Sequence, residues 1–382
     1  MLDPPGAGCQ DIYICYLDNS LRVTNFYTPP RSVKVKIMLY QLTASQGYSP
    51  RRLLIGVLAV LAGAPLASAD TSDFRGVNWA VLGDNFVEGR LVLYGLDESD
   101  DYNTVRAKAD AVYTGFEENL AINTVRLPVN THTVGSDWWD AYSGVIDSAT
   151  DRELKVILAY WEDGVASGGR VNNMDAWNTM WDTVIDQYAD SDLVHFEPMN
   201  EPHGYSAAEW TDMAAAWIDR HSSLPKERIL VGGTGYSQDA KPVCADSRLD
   251  GTLVSYHIYT FFYDEKDYDS WVQSFRDGLG DCASRAVTTE FGSPMDTGLD
   301  YNDANSADNF VRYLRAVTDS MRELDMGSTY WPAIGGKITE GQGDDWYSIQ
   351  KLQGTGTSLT VSTPNTSGVD RLWHGWGLNS AE

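Results

Sequence analysis

Between Phe74 and Gly336 short apolar runs rich in β-formers alternate with longer stretches of helical period, and they do so eight times. The runs are FRGVNWAV (74–81), INTVRLPV (122–129), LKVILAYW (154–161), LVHFEPMNEP (193–202), RILVGGTGY (228–236), LVSYHIYTFF (253–262), RAVTTEFGSP (285–294) and MGSTYWPAIGG (326–336). Between them apolar residues recur at spacings of three and four, as Val105, Ala109, Val112, Phe116 and Leu120 do. Helices are expected over 104–121, 175–189 and 308–325, and around Trp210, Met213, Trp217 and Ile218. Eight strands with helices between most of them, in about 260 residues, have the count and length of an α/β (β/α)8 TIM barrel. A doubly wound sheet is the second choice. The runs are nearly continuous in apolar residues, as strands covered on both faces are in a parallel sheet. Beyond Ile338 the pattern loosens into GQGDD and GTGTSLTVSTPNTSG, read as loops with a small strand pair. No Pro-, Ser- or Gly-rich linker and no internal repeat divides the chain. Residues 70–382 are therefore expected to form a single catalytic domain without an appended binding module.

The first 69 residues read differently. SPRRLLIGVLAVLAGAPLASAD (49–70) places two arginines before an apolar stretch and ends it on Ala67-Ser68-Ala69, the pattern of a secretory signal peptide cleaved after Ala69. The apolar stretch from Leu53 to Ala62 falls well short of the ~20 residues that a membrane span needs. Residues 1–48 are too long for an ordinary leader start, and a true start at Met38 would account for them. Arg51-Arg52 suits either the general or the twin-arginine export route. The expected product is a secreted monomer that leaves no membrane anchor behind.

Charge narrows the ligand. The 382-residue chain has 28 basic and 54 acidic residues, a formal net charge of −26. From Asp70 onward the balance is 22 basic against 51 acidic residues. Such a surface repels nucleic acid and anionic lipid, so a neutral ligand is expected. Only Cys244 and Cys282 lie after residue 69. In an oxidising compartment they could close a disulfide or remain two separately buried thiols.

In a barrel of this kind side chains at the C-terminal strand ends face the substrate. The fourth run ends in Asn200 and Glu201, and the seventh carries Glu290 at the same rim. A buried strand seldom finishes in a glutamate. Two facing carboxyls are the equipment for cleaving a glycosidic bond, one protonating the leaving oxygen and the other attacking the anomeric carbon. Arg126, at the end of the second strand, could supply the cation that keeps one of them ionised, although an ordinary ion-pair role fits its position as well. His257 and Tyr259 stand two apart on the sixth strand and so point to one side, where they could hydrogen-bond a carboxylate or serve as core. Trp331, placed at the end of the eighth strand, could stack on the C–H face of a sugar. Trp177, Trp181, Trp210 and Trp217 have helical spacing and read as core. The six histidines show no HxH or HExxH spacing, so neither a metal nor a cofactor is expected.

With VNW (77–79), VRLPV (125–129), MNEP (199–202), YHIY (256–259), TEFG (289–292) and YW (330–331) in this order, the chain resembles glycoside hydrolase family 5, the cellulase-like retaining (β/α)8 glycosidases. The resemblance covers Phe74 to about Gly336. It implies a glycosidase hydrolysing O-glycosyl bonds of a neutral polysaccharide or oligosaccharide, in the manner of endo-β-glucanases and mannanases. Glu201 would be the acid/base and Glu290 the nucleophile, about 5–5.5 Å apart as retention requires. Asn200 would bind a sugar hydroxyl, Arg126 and Tyr259 would hold Glu290 ionised, His257 would support the site, and Trp331 would floor the reactive subsite. Asn78, in the VNW segment, and Trp161, just after strand three, are further candidates.

One departure stands out. Family members commonly carry a histidine just after strand three, where this chain has Tyr160, Trp161, Glu162 and Asp163. An unusual sugar in the reactive subsite would follow, and the EPMNEPHGYS and WEDG stretches resemble a branch associated with arabinofuranose and galactofuranose hydrolysis. Glu162 itself reads as a solvated loop acid. A sugar-binding barrel that has lost catalysis is the rival from another class, and the presence of both glutamates, the arginine and the tyrosine argues against it.

Overall fold

In the computed structural model, which describes residues 71–161, 168–341 and 343–378, eight parallel strands form one sheet in the order β4-β3-β2-β1-β8-β7-β6-β5. The strands are β1 (Arg75–Leu82), β2 (Thr124–Val129), β3 (Lys155–Tyr160), β4 (Val194–Glu197), β5 (Leu230–Gly232), β6 (Leu253–His257), β7 (Ala286–Glu290) and β8 (Ser328–Gly336). A single parallel bridge, Phe196 to Ile229, joins β4 to β5 and nearly closes the ring. The sheet is thus a (β/α)8 barrel, and the doubly wound alternative falls because its outer strands would not meet.

Helices cover the outside: α1 (Tyr102–Leu120), α2 (Trp139–Asp151), α3 (Met174–Tyr188), α4 (Ala207–Arg220), the short α5 (Lys241–Ala245), α6 (Tyr268–Leu279) and α7 (Asn309–Leu324). Three of these match the expected spans to within two residues, because the three-four spacing of buried side chains is also the spacing that packs them on the sheet. In α1 that face is Val105, Ala109, Val112, Phe116 and Leu120, all fully buried. Asp101 caps α1 by accepting from the Thr104 amide at 2.8 Å. Ser206 and Glu209 form a reciprocal capping box at α4, which fixes where the chain leaves the rim after β4.

Three apolar clusters result among the described residues. The largest lies between sheet and helices and holds Trp79, Trp177, Trp181, Trp210, Trp217 and Trp271, and another gathers Ala80, Ala159, Trp161, Tyr259, Trp331 and Tyr347. A smaller cluster of Phe74, Ile157, Leu230, Leu253 and Val287 plugs the barrel interior below the site.

Several strands are shorter than their apolar runs. β4 ends at Glu197, so Asn200 and Glu201 stand in the turn beyond it. Pro198 cannot donate to a ladder, and its carbonyl accepts instead from the indoles of Trp177 (3.2 Å) and Trp181 (3.3 Å). β5 keeps only three residues, since Gly233 to Ser237 turn sharply, with Gly235 and Tyr236 at φ +58° and +56°. Arg126 is the third residue of β2 and Trp331 the fourth of nine in β8, so neither ends its strand as expected. A register shift lets β8 run on past Trp331.

After β8 come the antiparallel pair β9 (Lys351–Gln353) and β10 (Thr360–Ser362) and a helix α8 (Thr366–Gly375) that the sequence reading missed. Its signal is present: Asn365 caps it, and Val369 and Leu372 are buried three apart. Cys244 in α5 and Cys282 are joined by a disulfide. The proposed export segment, and Glu162 and Asp163, lie outside the described residues. Among those described, no helix is long and apolar enough to cross a membrane.

Candidate active site

At the C-terminal mouth of the barrel a buried network of hydrogen bonds gathers side chains from β1, β2, β4, β6 and β7. Its hub is Arg126, wholly buried. Nε and Nη2 donate to the two carboxylate oxygens of Glu197 at 2.7 and 3.0 Å. Nη1 donates to Glu290 Oε1 at 2.6 Å and Asn78 Oδ1 at 3.0 Å, and Nη2 also donates to Asn200 Oδ1 at 2.8 Å. The five bonds match the five N–H donors of a guanidinium. Its flat face lies 4.6 Å over the Trp161 ring. Burial works against its charge, but the carboxylates of Glu197 and Glu290 outweigh that penalty and raise its pKa. The register explains the meeting, because Asn78 and Arg126 are direct partners across β1 and β2 and so point the same way.

Glu290 ends β7 with both oxygens engaged: Oε1 accepts from Arg126, and Oε2 accepts from the Tyr259 hydroxyl at 3.0 Å. Burial pushes its pKa up to about 7, against the opposing pull of Arg126 and Tyr259. Burial also raises Tyr259 far above the ordinary phenol range, so that its hydroxyl stays a donor. Glu201 has a sparser environment. Its Oε1 lies 3.1 Å from His257 Nδ1, and its side chain keeps 14% of its exposure. Burial and then the nearby Glu290 raise its pKa well above the usual carboxyl range. Burial, aided by Arg126, drives the His257 pKa well below normal, so the imidazole is neutral at pH 7.

A carboxylate oxygen of Glu201, one of Glu290 and a ring nitrogen of His257 all lie within 4.8 Å of one another. Such a spacing could admit a cation, but the Arg126 guanidinium already supplies positive charge at Glu290. The two glutamates differ in backbone as well. Glu201 sits at φ +47° immediately before Pro202, a conformation that costs a non-glycine residue about 1–3 kcal/mol and that clusters at functional sites. The Asn200 amide donates to Tyr160 O at 2.9 Å and the His203 amide to Glu201 O at 2.7 Å, which pins the turn from both sides.

The structure thus brings Asn200, Glu201, Arg126, His257, Tyr259, Glu290 and Asn78 together at one rim. Asn78 serves as a strut, with Nδ2 donating to the carbonyls of Thr289 (2.9 Å) and Tyr330 (3.1 Å). Trp331 and Trp161 stack on one another at 5.3 Å and 21°, and Trp331 is only 8% exposed. Its ring does not stand bare as a sugar floor would. Glu197 went unnoticed in the sequence. A glutamate inside the apolar run LVHFEP is itself a signal, since a carboxylate there needs a buried cation. Two pockets of about 270 and 500 Å³ lie elsewhere, lined by none of these residues.

The family model of cellulase (glycosyl hydrolase family 5) matches residues 97–334. No curated protein sequence matches the chain. Among solved structures, an endo-β-1,4-glucanase from Xanthomonas axonopodis pv. citri is 18% identical with a TM-score of 0.53, over 80% of this chain and 99% of that one. An endocellulase from Pyrococcus horikoshii, in complex with cellotetraose, is 15% identical with a TM-score of 0.56, over 79% and 92%. A hyperthermophilic endo-β-1,4-glucanase in complex with substrate is 15% identical with a TM-score of 0.53, over 79% and 98%. At these identities the structures speak for the (β/α)8 fold, and the family match speaks for the chemistry. The chain belongs to the cellulase family of glycosyl hydrolases, family 5, and is a glycosidase that hydrolyses O-glycosyl bonds.

Proposed function

We propose that the protein is a secreted, monomeric, retaining glycosidase that cleaves a neutral β-linked polysaccharide from within, as endo-β-glucanases and mannanases do. The observation that carries this reading is the spacing of the two glutamates, whose oxygens approach within 4.8 Å. Inverting enzymes hold their carboxyls about 6.5–9.5 Å apart to admit a water, and retaining ones about 5–5.5 Å. The endoglucanase neighbours and the acidic surface support a neutral glucan-like chain.

Glu290 is the nucleophile. Arg126 and Tyr259 hold its oxygens in place and share its charge, so the ionised form is the one the site is built around. Glu201, whose pKa burial and the nearby Glu290 raise well above the ordinary carboxyl range and which has neutral His257 beside it rather than a cation, is the acid. In the first step a Glu290 oxygen forms a bond to the anomeric carbon as the glycosidic C–O bond breaks, and Glu201 gives its proton to the departing oxygen. In the second step Glu201 takes a proton from water, whose oxygen displaces Glu290 and restores the carboxylate. Asn200 holds a sugar hydroxyl beside the reacting carbon through Nδ2, which has no hydrogen-bond partner among the described residues.

A second reading, an exo-acting furanosidase for arabinofuranose or galactofuranose, rests on Trp161. It stands just after β3, where family members commonly carry a histidine, and its indole stacks on Trp331 at 5.3 Å. A screen over β-glucans, mannans, xylan and furanosides decides between the two, with the first product followed by NMR. A retaining enzyme gives a β-product from a β-substrate, and an α-product contradicts the mechanism. Glu290→Gln should lower turnover by several orders of magnitude with folding intact. Equal hydrolysis by variant and parent would remove the assignment.

A further inference from the structure

Four aromatic or imidazole rings continue outward from Tyr259. Phe261 stacks on Tyr259 at 4.8 Å and 22°, and Phe262 packs on Phe261 at 4.6 Å. Tyr236 lies 5.0 Å from Phe262, and His203 stacks on Tyr236 at 4.0 Å and 12°. These rings come from the loops after β6, β5 and β4. Three of them are unusually open for their size: Phe261 is 61%, Phe262 39% and Tyr236 38% exposed. Large rings left in water at a barrel mouth mark a surface meant to be covered.

Both ends of the row are held. Tyr259 is fixed by its bond to Glu290. His203 is fixed by Nδ1, 3.0 Å from the carbonyl of Glu201, and by the loop at Gly169, where a Cβ would come within 2.5 Å of the imidazole. A side chain there would displace the ring on which Tyr236 rests. The row is therefore an arc that starts beside one glutamate and finishes beside the other, on the β4–β6 side of the mouth. Trp161 and Trp331 occupy the β3 and β8 side.

We infer that Tyr236, Phe261 and Phe262 form a binding surface for sugar rings on the leaving-group side of the scissile bond, so that the substrate is a neutral chain extending at least two units past that bond. This rests on Glu201 being the proton donor under the function proposed above, since the departing chain must lie on the donor's side. The chemistry fits a sugar better than any charged ligand, because aromatic faces pair with the C–H faces of a pyranose and the strongly acidic surface disfavours polyanions. It deepens the endo reading, since an enzyme that clips one terminal residue needs no such length of contact.

The test compares the parent with the Tyr236→Ala/Phe261→Ala/Phe262→Ala variant on cello-oligosaccharides of three to six units. In the parent, kcat/KM rises as units are added on the leaving side. In the variant this rise shrinks about 100-fold, roughly fivefold for each ring lost. Tyr236→Phe, which keeps the ring, should keep the rise. The three side chains are exposed, and unchanged melting temperatures verify that the fold survives. The same dependence on chain length in parent and variant overturns the inference. Should the parent cleave no oligosaccharide or polysaccharide, the proposed function fails separately. Calorimetric binding of cellohexaose then decides the arc by itself, and equal affinity for parent and variant overturns it. If the patch instead seats a second copy of the chain, sedimentation will show a dimer that the variant abolishes, which also refutes the inference.

Discussion

Replacing Glu197 by glutamine tests how the site holds its charge. Glu197 and Arg126 are wholly buried and joined by two hydrogen bonds of 2.7 and 3.0 Å. Breaking a buried ion pair from one side costs about 3–5 kcal/mol, because the remaining charge is left without compensation. Glutamine keeps one acceptor oxygen but turns an amide donor toward the guanidinium, and Arg126 retains Glu290, Asn78 and Asn200. The cost therefore falls at the lower end, about 3 kcal/mol. For a domain of this size 1 kcal/mol corresponds to about 2 °C, so Tm should fall by about 6 °C. The exposed pair Arg220–Asp182, with side chains 47% and 43% exposed, supplies a control. Asp182→Asn should cost under about 1 kcal/mol. Activity should respond as well. The Glu197 carboxylate contributes to raising the Glu290 pKa, so its loss frees Arg126 to favour the ionised nucleophile. The acidic limb of the pH profile of kcat/KM should move to lower pH. An unchanged Tm, together with an acidic limb that stays put or moves to higher pH, would refute the reasoning.

Glu201→Gln should make the protein more stable at pH 8 and leave it unchanged at pH 4. The Glu201 pKa is higher in the folded than in the unfolded chain. Below about 4.3 both states are protonated and nothing is lost, whereas above it the unfolded state ionises first and folding stability drops until pH passes the folded value. Thermal melts at the two pH values check this, and a variant less stable than the parent at pH 8 contradicts it. Replacing both Cys244 and Cys282 by serine opens a loop of 38 residues and should cost about 4 kcal/mol by chain entropy. Denaturant titration measures that loss, and an unchanged midpoint would show that the disulfide contributes nothing.

The sequence shows the barrel clearly because parallel strands buried on both faces are apolar along their whole length, and the helices carry one period throughout. It shows Glu201 and Glu290 for the opposite reason, as carboxyls where such runs should stay apolar. Glu197 escaped notice because it stands in the same run as Glu201, whose place at the rim already explained an acid there. Only the fold reveals that Arg126, three residues into its strand, lies between two carboxylates. The expectation that Trp331 floors the reactive subsite did not foresee Trp161, which follows β3, separated from β8 by β2 and β1, and stacks on it across the mouth. The arc of Tyr236, Phe261 and Phe262 is invisible in sequence, since its rings come from separate loops and meet only once β5 and β6 are side by side. Helix α8 was hidden by the glycine and serine residues of its first turn, which lower its helical signal although Asn365 caps it.

In the proposed mechanism Glu290 attacks the sugar while Glu201 stands on the other side of the bond. A 2-deoxy-2-fluoro glycoside with a good leaving group slows the second step and should leave the sugar attached to the enzyme. Peptide mass spectrometry is then expected to find the added mass on Glu290, one sugar per chain. A label on any other residue, or turnover without a trapped adduct and with inverted product, would contradict the mechanism.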